Sequence, residues 1–279
     1  LETFIYFHNG KYNFIGQSGD DYPQPKELRE TAVSLTIDPQ ILFSGINRTL
    51  FASADDELRP VMNGIYFDIT AEDLTFVASD GHKLVRCKTL GAKGAERASF
   101  ILPKKPANLL KTILPKESDT VEIKFDENNA YIKMSSYTMT CRFIEGRYPN
   151  YNSVIPQNNS NKVVLDRQAF LNALKRVSVF SNQASNLIRL QLSEQNIVVS
   201  AQDIDFSTAA EETIPCEYTG TPMNIGFKSS FLIEILNNIP SSDISLELSD
   251  PSRAGLIIPA ENEENEDLLM LLMPMMLND

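Results

Sequence analysis

The stretch around which this chain is organised is Phe76–Val85, which reads Phe-Val-Ala-Ser-Asp-Gly-His-Lys-Leu-Val. It joins two short apolar segments, Leu74–Ala78 and Leu84–Arg86, through five small or polar residues. Gly81 tolerates a positive φ and lets the chain reverse tightly, so the stretch predicts a β-hairpin. Taken alone, the pattern indicates a hairpin turn with an exposed histidine. The rest of the chain decides whether the turn has a further role.

Composition limits the class of protein. The chain has 279 residues, of which 42% are hydrophobic and 22% charged, enough for about two domains with proper cores. The longest apolar run, Leu268–Leu277, is shorter than the roughly 20 residues of a membrane span and is broken by Pro274, so no membrane association is expected. Cys87, Cys141 and Cys216 form no C-x-x-C pair, which predicts no metal site and a reducing, cytoplasmic location. No cofactor is indicated.

Two helix signals recur along the chain. Asp38 precedes Pro39 and an apolar stripe at helical spacing, and Asp166 precedes a similar stripe 128 residues later. Asp is a good N-cap, and Pro suits the first helical position. A pair of alternating strand patterns repeats at an offset of 123 residues, and a second helix with its following strand repeats at 125. This period predicts duplicated domains rather than a solenoid.

A third copy is represented only by its last segment. Phe14-Ile15-Gly16 leading to Tyr22-Pro23 resembles Phe143–Gly146 leading to Tyr148-Pro149. We therefore expect the remnant of a first domain at 1–28, a second domain at 29–156 and a third at 157–279. The fold class is predicted to be α+β, with two helices packed on antiparallel sheets in each complete domain. Because the chain begins with Leu1, we also expect a fragment of a longer protein.

Catalysis finds little support in the sequence. Ser79, Asp80 and His82 are neighbours on one turn, whereas a nucleophile, a base and an orienting group normally converge from different elements. An enzyme centred on His82 is therefore a distant alternative. The acidic run Glu261–Asp267 is expected to be a solvated loop.

Positive charge is concentrated in the four predicted helices. These helices span 39–52, 103–114, 167–180 and 228–239. Their net charges are +1, +3, +3 and 0, whereas the net charge of the whole chain is −12. Helix surfaces often carry Lys and Arg, so an ordinary solvated face is one interpretation. The other is a single basic surface that attracts a polyanion, although the net charge argues against nucleic-acid binding by the whole surface.

The apolar tail Leu271–Leu277 contains three methionines and Pro274. Proline cannot occupy a central ladder position, so the tail is expected to be the end of a strand or an edge. Methionines on an exposed patch suit adaptable peptide recognition, whereas an ordinary Met-rich core strand is the alternative.

Taken together, the motifs resemble the β subunit of bacterial replicative DNA polymerase, the sliding-clamp family. The resemblance lies in Ser79–Leu84, in Asn63-Gly64 before a strand, in Gly146–Tyr151 followed by Val154–Pro156, and in Met273–Met275. It implies a DNA-clamp fold of three like domains that pair head to tail in a homodimeric ring. Such a ring encircles duplex DNA without sequence preference and tethers the replicative polymerase.

The resemblance also implies the site residues. A peptide-binding groove for the polymerase, the clamp loader and repair proteins would be formed by Met62, Ser79, Gly81, His82, Lys83, Leu84, Pro149, Val154, Leu271, Met273, Pro274, Met275 and Met276. The residues expected to face DNA are Arg48, Lys104, Lys105, Lys111, Lys175 and Arg176. Met276 departs from the basic residue usual in the family, and Asn278-Asp279 extend the tail.

The resulting prediction is a non-enzymatic sliding clamp that acts as a processivity factor. A protein-interaction scaffold of repeated β-rich domains, without a role on DNA, is the alternative. Because most of the first domain is missing, the chain is expected to be mainly monomeric.

Overall fold

The structure is a computed structural model that describes residues 1–22, 24 and 27–277. Pro23 of the Tyr22-Pro23 pair and the Asn278-Asp279 extension lie outside the described residues. The described part contains α1 (Pro39–Thr49), α2 (Lys104–Ile113), α3 (Arg167–Val177) and α4 (Ser229–Asn237). Its strands are β1 (Glu2–Phe7), β2 (Gly10–Ile15), β3 (Val33–Ile37), β4 (Gly64–Ile69), β5 (Leu74–Ser79), β6 (Lys83–Thr89), β7 (Ala98–Pro103), β8 (Val121–Phe125), β9 (Asn129–Lys133), β10 (Thr138–Arg142), β11 (Asn161–Asp166), β12 (Leu187–Ser193), β13 (Asn196–Asp203), β14 (Thr208–Pro215), β15 (Glu217–Thr219), β16 (Met223–Lys228), β17 (Asp243–Leu248), β18 (Gly255–Pro259) and β19 (Glu266–Leu272).

The four predicted helices are confirmed, and their starts follow from capping. The Asp38 carboxylate accepts hydrogen bonds from the backbone N–H groups of Gln40 (2.7 Å) and Ile41 (3.4 Å). Asp166 accepts one from the N–H of Ala169 (2.5 Å) in the second copy. Each cap satisfies N–H groups that have no partner within the helix. The repeated Asp therefore marks two equivalent helix starts.

Strands β1 and β2 pair only with each other, and the remaining strands form two similar units, which we call the first unit (β3–β10) and the second unit (β11–β19). Strands β10-β9-β8-β3 form one four-stranded sheet and β14-β13-β12-β16 another. A nine-stranded antiparallel sheet, ordered β15-β11-β17-β18-β19-β6-β5-β4-β7, runs through both units. The units join where β19 pairs with β6. The fold is thus α+β, as predicted, while the domain boundaries at 28/29 and 156/157 stay predictions.

The helices cover the inner faces of the sheets. Helix α1 packs on β5, β6 and α2, and α3 packs on β13, β14 and α4. A Cβ atom added to Gly45 would lie only 2.3–2.5 Å from the Phe76 ring, so glycine lets α1 approach the hairpin strand closely. Phe76 is fully buried, and its ring meets Phe67 edge-on at 4.8 Å. The hairpin that organises the sequence therefore lies at the centre of the first unit's core.

The acidic run differs from its prediction as a solvated loop. Glu266 and Asp267 begin β19, and Glu266 accepts a hydrogen bond from the Ser44 hydroxyl (2.8 Å). Asp267 pairs with Arg86 across the β19–β6 ladder (2.5 Å). The prediction was wrong for these two residues because their charges are balanced by groups of the first unit, which no local pattern reveals.

The tail prediction is confirmed in part. Leu271 and Leu272 lie in β19, an interior strand, and Pro274 follows the strand end as its missing N–H requires. Within the described part of the chain, no helix is long and apolar enough to cross a membrane.

Candidate functional site

The turn between β5 and β6 is fixed by its own side chains. The Asp80 carboxylate accepts hydrogen bonds from the backbone N–H groups of His82 (2.8 Å) and Lys83 (2.9 Å). The Ser79 hydroxyl donates to the Lys83 carbonyl (2.9 Å). Gly81 has a φ of +92°, and a Cβ there would lie 2.7 Å from the Arg59 guanidinium. Gly81 therefore has the positive φ expected of it, and the Asp80 side chain adds local hydrogen bonds that fix the turn.

The tail lies directly beside this turn. Leu271 and Leu272 pair with Leu84 and Lys83 in the β19–β6 ladder. The backbone N–H of Met273 donates to the carbonyl of His82 (2.9 Å), and that of Met275 donates to the carbonyl of Gly226 in β16 (2.8 Å). We call the surface between the turn (79–84) and the tail (271–276) the candidate groove. Its two walls come from different units and are held by backbone hydrogen bonds.

A small apolar cluster lies under the candidate groove. It contains Leu84 and Leu271 together with Val77, Ile101, Tyr148, Tyr151, Ile155, Leu256 and Leu269. Tyr148 stacks flat on Tyr66 at 4.8 Å, and the Tyr151 hydroxyl donates to Asp68 (3.0 Å). Burial is the main reason that the pKa of Tyr151 rises to about 12. These contacts anchor the segment that connects the two units and that carries Pro149 and Val154.

The predicted groove residues differ in exposure. Val154, Met273 and Met276 expose 55%, 43% and 75% of their surface, whereas Leu84 and Leu271 are buried. Met62 is also buried, and its neighbour Val61 is the residue that packs on the small cluster. The exposed members are thus available to a partner, while Leu84 and Leu271 belong to the floor.

Lys83 is the clearest departure from the implied groove wall. Its side chain is only 6% exposed, and its ammonium pairs with Asp80 (2.7 Å) and Glu234 (3.1 Å). The ammonium also lies 4.4 Å from the centre of the Phe231 ring. Sequence reasoning missed Phe231 and Glu234 because both belong to α4, about 150 residues after the turn, and only the β19–β6 pairing brings them together.

The ionisation of Asp80 reflects these contacts. Burial raises the pKa of Asp80, but hydrogen bonds from the Lys83 ammonium and from the N–H groups of Lys83 and His82 outweigh it, so the pKa lies below the ordinary 3.8. A carboxyl whose pKa is lowered by folding stabilises the folded state above its unfolded pKa. That stabilisation is lost as the pH falls through the folded value.

We therefore expect the Asp80 carboxyl, followed by carbon-detected NMR, to titrate below pH 3.8 in the folded protein. In Lys83→Met the midpoint should move upwards, because the ammonium that favours the carboxylate is gone. The same titration in Lys133→Met, which alters an exposed strand lysine, serves as the control. A midpoint unaffected by Lys83→Met would contradict the assigned cause.

The basic helix residues fall into two groups. Lys104 pairs with Asp55 (2.7 Å) and Arg176 with Glu212 (2.7 Å), whereas Lys105, Lys111 and Lys175 are exposed and form no ion pair with any described residue. The Glu212 carboxylate raises the pKa of the Arg176 guanidinium further.

Arg48 does not suit its predicted place facing DNA. Its side chain is 13% exposed and pairs with Glu263 (2.8 Å) and Glu266 (3.4 Å). These carboxylates reach Arg48 because β19 completes the sheet beside α1. Its charge therefore contributes to the junction between the units rather than to an exposed basic face.

Two further properties of the described chain concern metal ligands and cavities. Across residues 1–22, 24 and 27–277 there is no cluster of three His, Cys, Asp or Glu side chains suited to a metal ion. A cavity of about 690 Å³ lies beside the connecting segment. Pro149 is the only predicted groove residue that lines it, next to Tyr66, Asp68, Arg97 and Arg147.

Two family models, each describing one domain of the same protein, match the chain. The model of the DNA polymerase III beta subunit, central domain, matches residues 36–150, and that of its C-terminal domain matches residues 152–276. The beta sliding clamp of Synechococcus elongatus is 29% identical over 90% of this chain and 68% of that protein. The beta sliding clamp of Pseudomonas aeruginosa is 31% identical over 81% of this chain and 61% of that protein. The chain thus spans about two thirds of the length of these relatives.

Solved structures of sliding clamps are also similar to this chain. A P. aeruginosa DNA polymerase sliding clamp with a ligand superposes with a TM-score of 0.93 at 28% identity, covering 99% of this chain and 74% of that one. A second P. aeruginosa clamp, bound to griselimycin, gives 0.93 at 27% over the same shares. The architecture is that of sliding clamps. The chain belongs to the bacterial DNA polymerase III β subunit family, the β sliding clamps, and the scaffold without a role on DNA is not favoured.

Proposed function

We propose that this chain serves as a DNA sliding clamp that acts without catalysis in the cytoplasm, holding duplex DNA by enclosure and tethering the replicative polymerase. The observation that carries the proposal is the β19–β6 junction, which sets the turn beside the tail over an apolar floor. Two walls from different units, of which the tail carries exposed methionines, suit the docking of short, exchangeable peptides. The clamp loader and repair proteins would use the same groove.

The expected partner is a peptide with a Gln followed by an apolar end of the Leu-x-Leu-Phe type. Two or three buried apolar side chains contribute roughly 1.5–3 kcal/mol each before the costs of ordering. The net result is an affinity of about micromolar, which suits partners that must exchange on one clamp.

Met273→Ala and Met275→Ala test this groove. Each should weaken binding of such a peptide at least about fivefold, because truncating an apolar anchor typically costs more than about 1 kcal/mol. The backbone hydrogen bonds of both residues survive the change, so the fold should be retained. Calorimetry would measure the affinities, with Leu58→Ala, at a residue that is 92% exposed, as the control. Unchanged affinity in both Met variants would refute the groove.

DNA would be held by phosphate contacts from Lys105 and Lys111 on α2 and from Lys175 on α3. Lysine contacts to phosphates are independent of sequence, and a clamp that uses them can slide. Lys104 and Arg176 would contribute less, since each already has a carboxylate partner.

Ring closure would use the free edge of β14. In the first unit the corresponding edge strand is β6, and β19 covers it. Strand β14 has no further strand on its outer side among the described residues, and the adjoining turn exposes Ile204 (77%) and Phe206 (78%). By the internal repeat, β2 corresponds to β19, so the β2 edge of a second copy would pair with β14 head to tail.

Changing both Ile204 and Phe206 to Asp should therefore reduce self-association. The chain, expected above to be mainly monomeric, retains both β2 and β14, so we expect weak self-association at high concentration. In the double variant the dissociation constant of this self-association should increase at least about tenfold. Sedimentation equilibrium would measure it, and Leu58→Asp is the matched surface control. Association of equal strength in the double variant would exclude the β14 edge.

A further inference from the structure

The turn is attached to the second unit through side chains as well as through the tail. Lys83 extends from the turn to α4, where its ammonium lies 3.1 Å from the Glu234 carboxylate and 4.4 Å from the centre of the Phe231 ring. His82, the preceding residue, stacks on the same ring at 5.8 Å with an interplanar angle of 26°. The consecutive turn residues His82 and Lys83 therefore both contact α4, through Phe231 and Glu234, which lie about one helical turn apart.

The frame that holds the turn also holds the tail. Strand β16 carries Gly226, which binds Met275 of the tail, and Lys228, whose ammonium lies 4.7 Å from the centre of the Phe231 ring. Helix α4 starts directly after β16. Both walls of the candidate groove are therefore attached to the same short element pair, β16 and α4.

The charge balance makes these contacts specific. A nearly buried ammonium needs compensating groups, and Lys83 has Asp80 within its own turn and Glu234 on α4. Removing Glu234 leaves the local pair with Asp80 intact but ends the ion pair across the units, so that only the Phe231 ring still attracts the Lys83 ammonium from α4. The turn keeps its internal hydrogen bonds and its backbone pairing with the tail, but the Lys83 side chain loses one of the contacts that direct it towards α4. The charge of Lys83 is also engaged by two carboxylates, so it is not available to a partner.

We propose that Glu234 and Phe231 are positioning residues of the peptide groove, which hold the side chains of Lys83 and His82 and thereby set the orientation of the turn's rim towards the tail. This rests on the groove proposed above. Neither residue needs to touch the peptide, since each acts through a residue of the turn. The pair determines how well a peptide fits both walls at once.

The test measures affinity for the Gln and Leu-x-Leu-Phe type peptide by calorimetry. Glu234→Gln should weaken binding on the order of fivefold, within the range of coupling between contacting residues. Glu234→Asp, which keeps the charge, should restore much of the loss. Glu194→Gln, at an exposed glutamate of the same unit, is the matched control and should bind as the wild type does.

A double-mutant cycle distinguishes positioning from a general structural effect. In a Lys83→Met background, Glu234→Gln should have no further effect on affinity, because the contact through which it acts is already absent. In Phe231→Leu the NMR signals of the His82 ring should lose their ring-current shift while the thermal midpoint stays close to that of the wild type. Additive effects in the cycle, or Glu234→Gln binding like the wild type, would overturn the proposal.

The outcome also separates this proposal from the groove itself. If the peptide binds and Met273→Ala weakens it while Glu234→Gln does not, only the positioning role fails. If the peptide does not bind the wild-type chain, the groove fails and the positioning role with it.

Discussion

A variant with Lys105, Lys111 and Lys175 all changed to Glu is expected to lose at least about 100-fold in affinity for duplex DNA at physiological salt. Each lysine that contacts a phosphate releases about one counterion. The plot of log affinity against log salt has a negative slope, and three lost contacts should reduce the magnitude of that slope by about 3. Reversal of the charge adds repulsion. Filter binding or anisotropy across a salt series would measure both quantities.

The chain offers a matched control for this variant. Lys93, Lys133 and Arg147 are exposed, lie outside the four helices and form no ion pair with any described residue, and changing all three to Glu alters the net charge by the same amount. If helix faces alone meet DNA, this control should retain nearly all of its affinity apart from a small long-range effect. Equal losses in the two triple variants would mean that net charge, and not a basic helix surface, governs binding.

The second large effect is expected on stability. Gly64→Ala should lower the free energy of unfolding by about 2–4 kcal/mol, because a Cβ at this position would lie 2.4 Å from the Leu102 carbonyl oxygen of the adjacent strand. That oxygen belongs to the backbone of β7 and cannot rotate away. The Ile144 side chain, 3.0 Å from the same Cβ position, would also have to move. Denaturant unfolding followed by fluorescence and circular dichroism would measure the change.

Gly19→Ala provides the comparison for Gly64→Ala. No heavy atom lies within 4 Å of the Cβ position at Gly19, so this substitution should be within about 0.5 kcal/mol of the wild type. If both alanine variants unfold at the same denaturant concentration, the close approach of β4 and β7 at Gly64 is not a constraint on the fold.

Gly64 also shows why a local motif can be recognised without its reason being apparent. Asn63-Gly64 forms part of the family resemblance, yet nothing near it in the sequence indicates a crowded neighbour. The constraint comes from β7, about 40 residues later, and from the connecting segment after β10. Similarly, Gly45 in α1 would be expected to weaken the helix, and only the Phe76 ring explains its place.

The helices, the hairpin and the repeat follow from local patterns in the sequence. Apolar spacing, the Asp caps at 38 and 166 and the Asp-Gly turn act over a few residues, so their effect can be derived from neighbours alone. The family motifs were local as well, which is why the turn and the tail could be named together before the structure linked them.

The arrangement of the charges and of the groove walls depends on tertiary contacts that no local pattern contains. The pairing of β19 with β6 buries Arg48 among Glu263 and Glu266 and directs Lys83 towards Glu234. Coulombic and packing energies depend on distance in space, and the chain brings these groups together across about 150 to 220 residues of sequence. Composition shows that the charges exist, and the register of one strand pair determines which remain exposed to bind a partner.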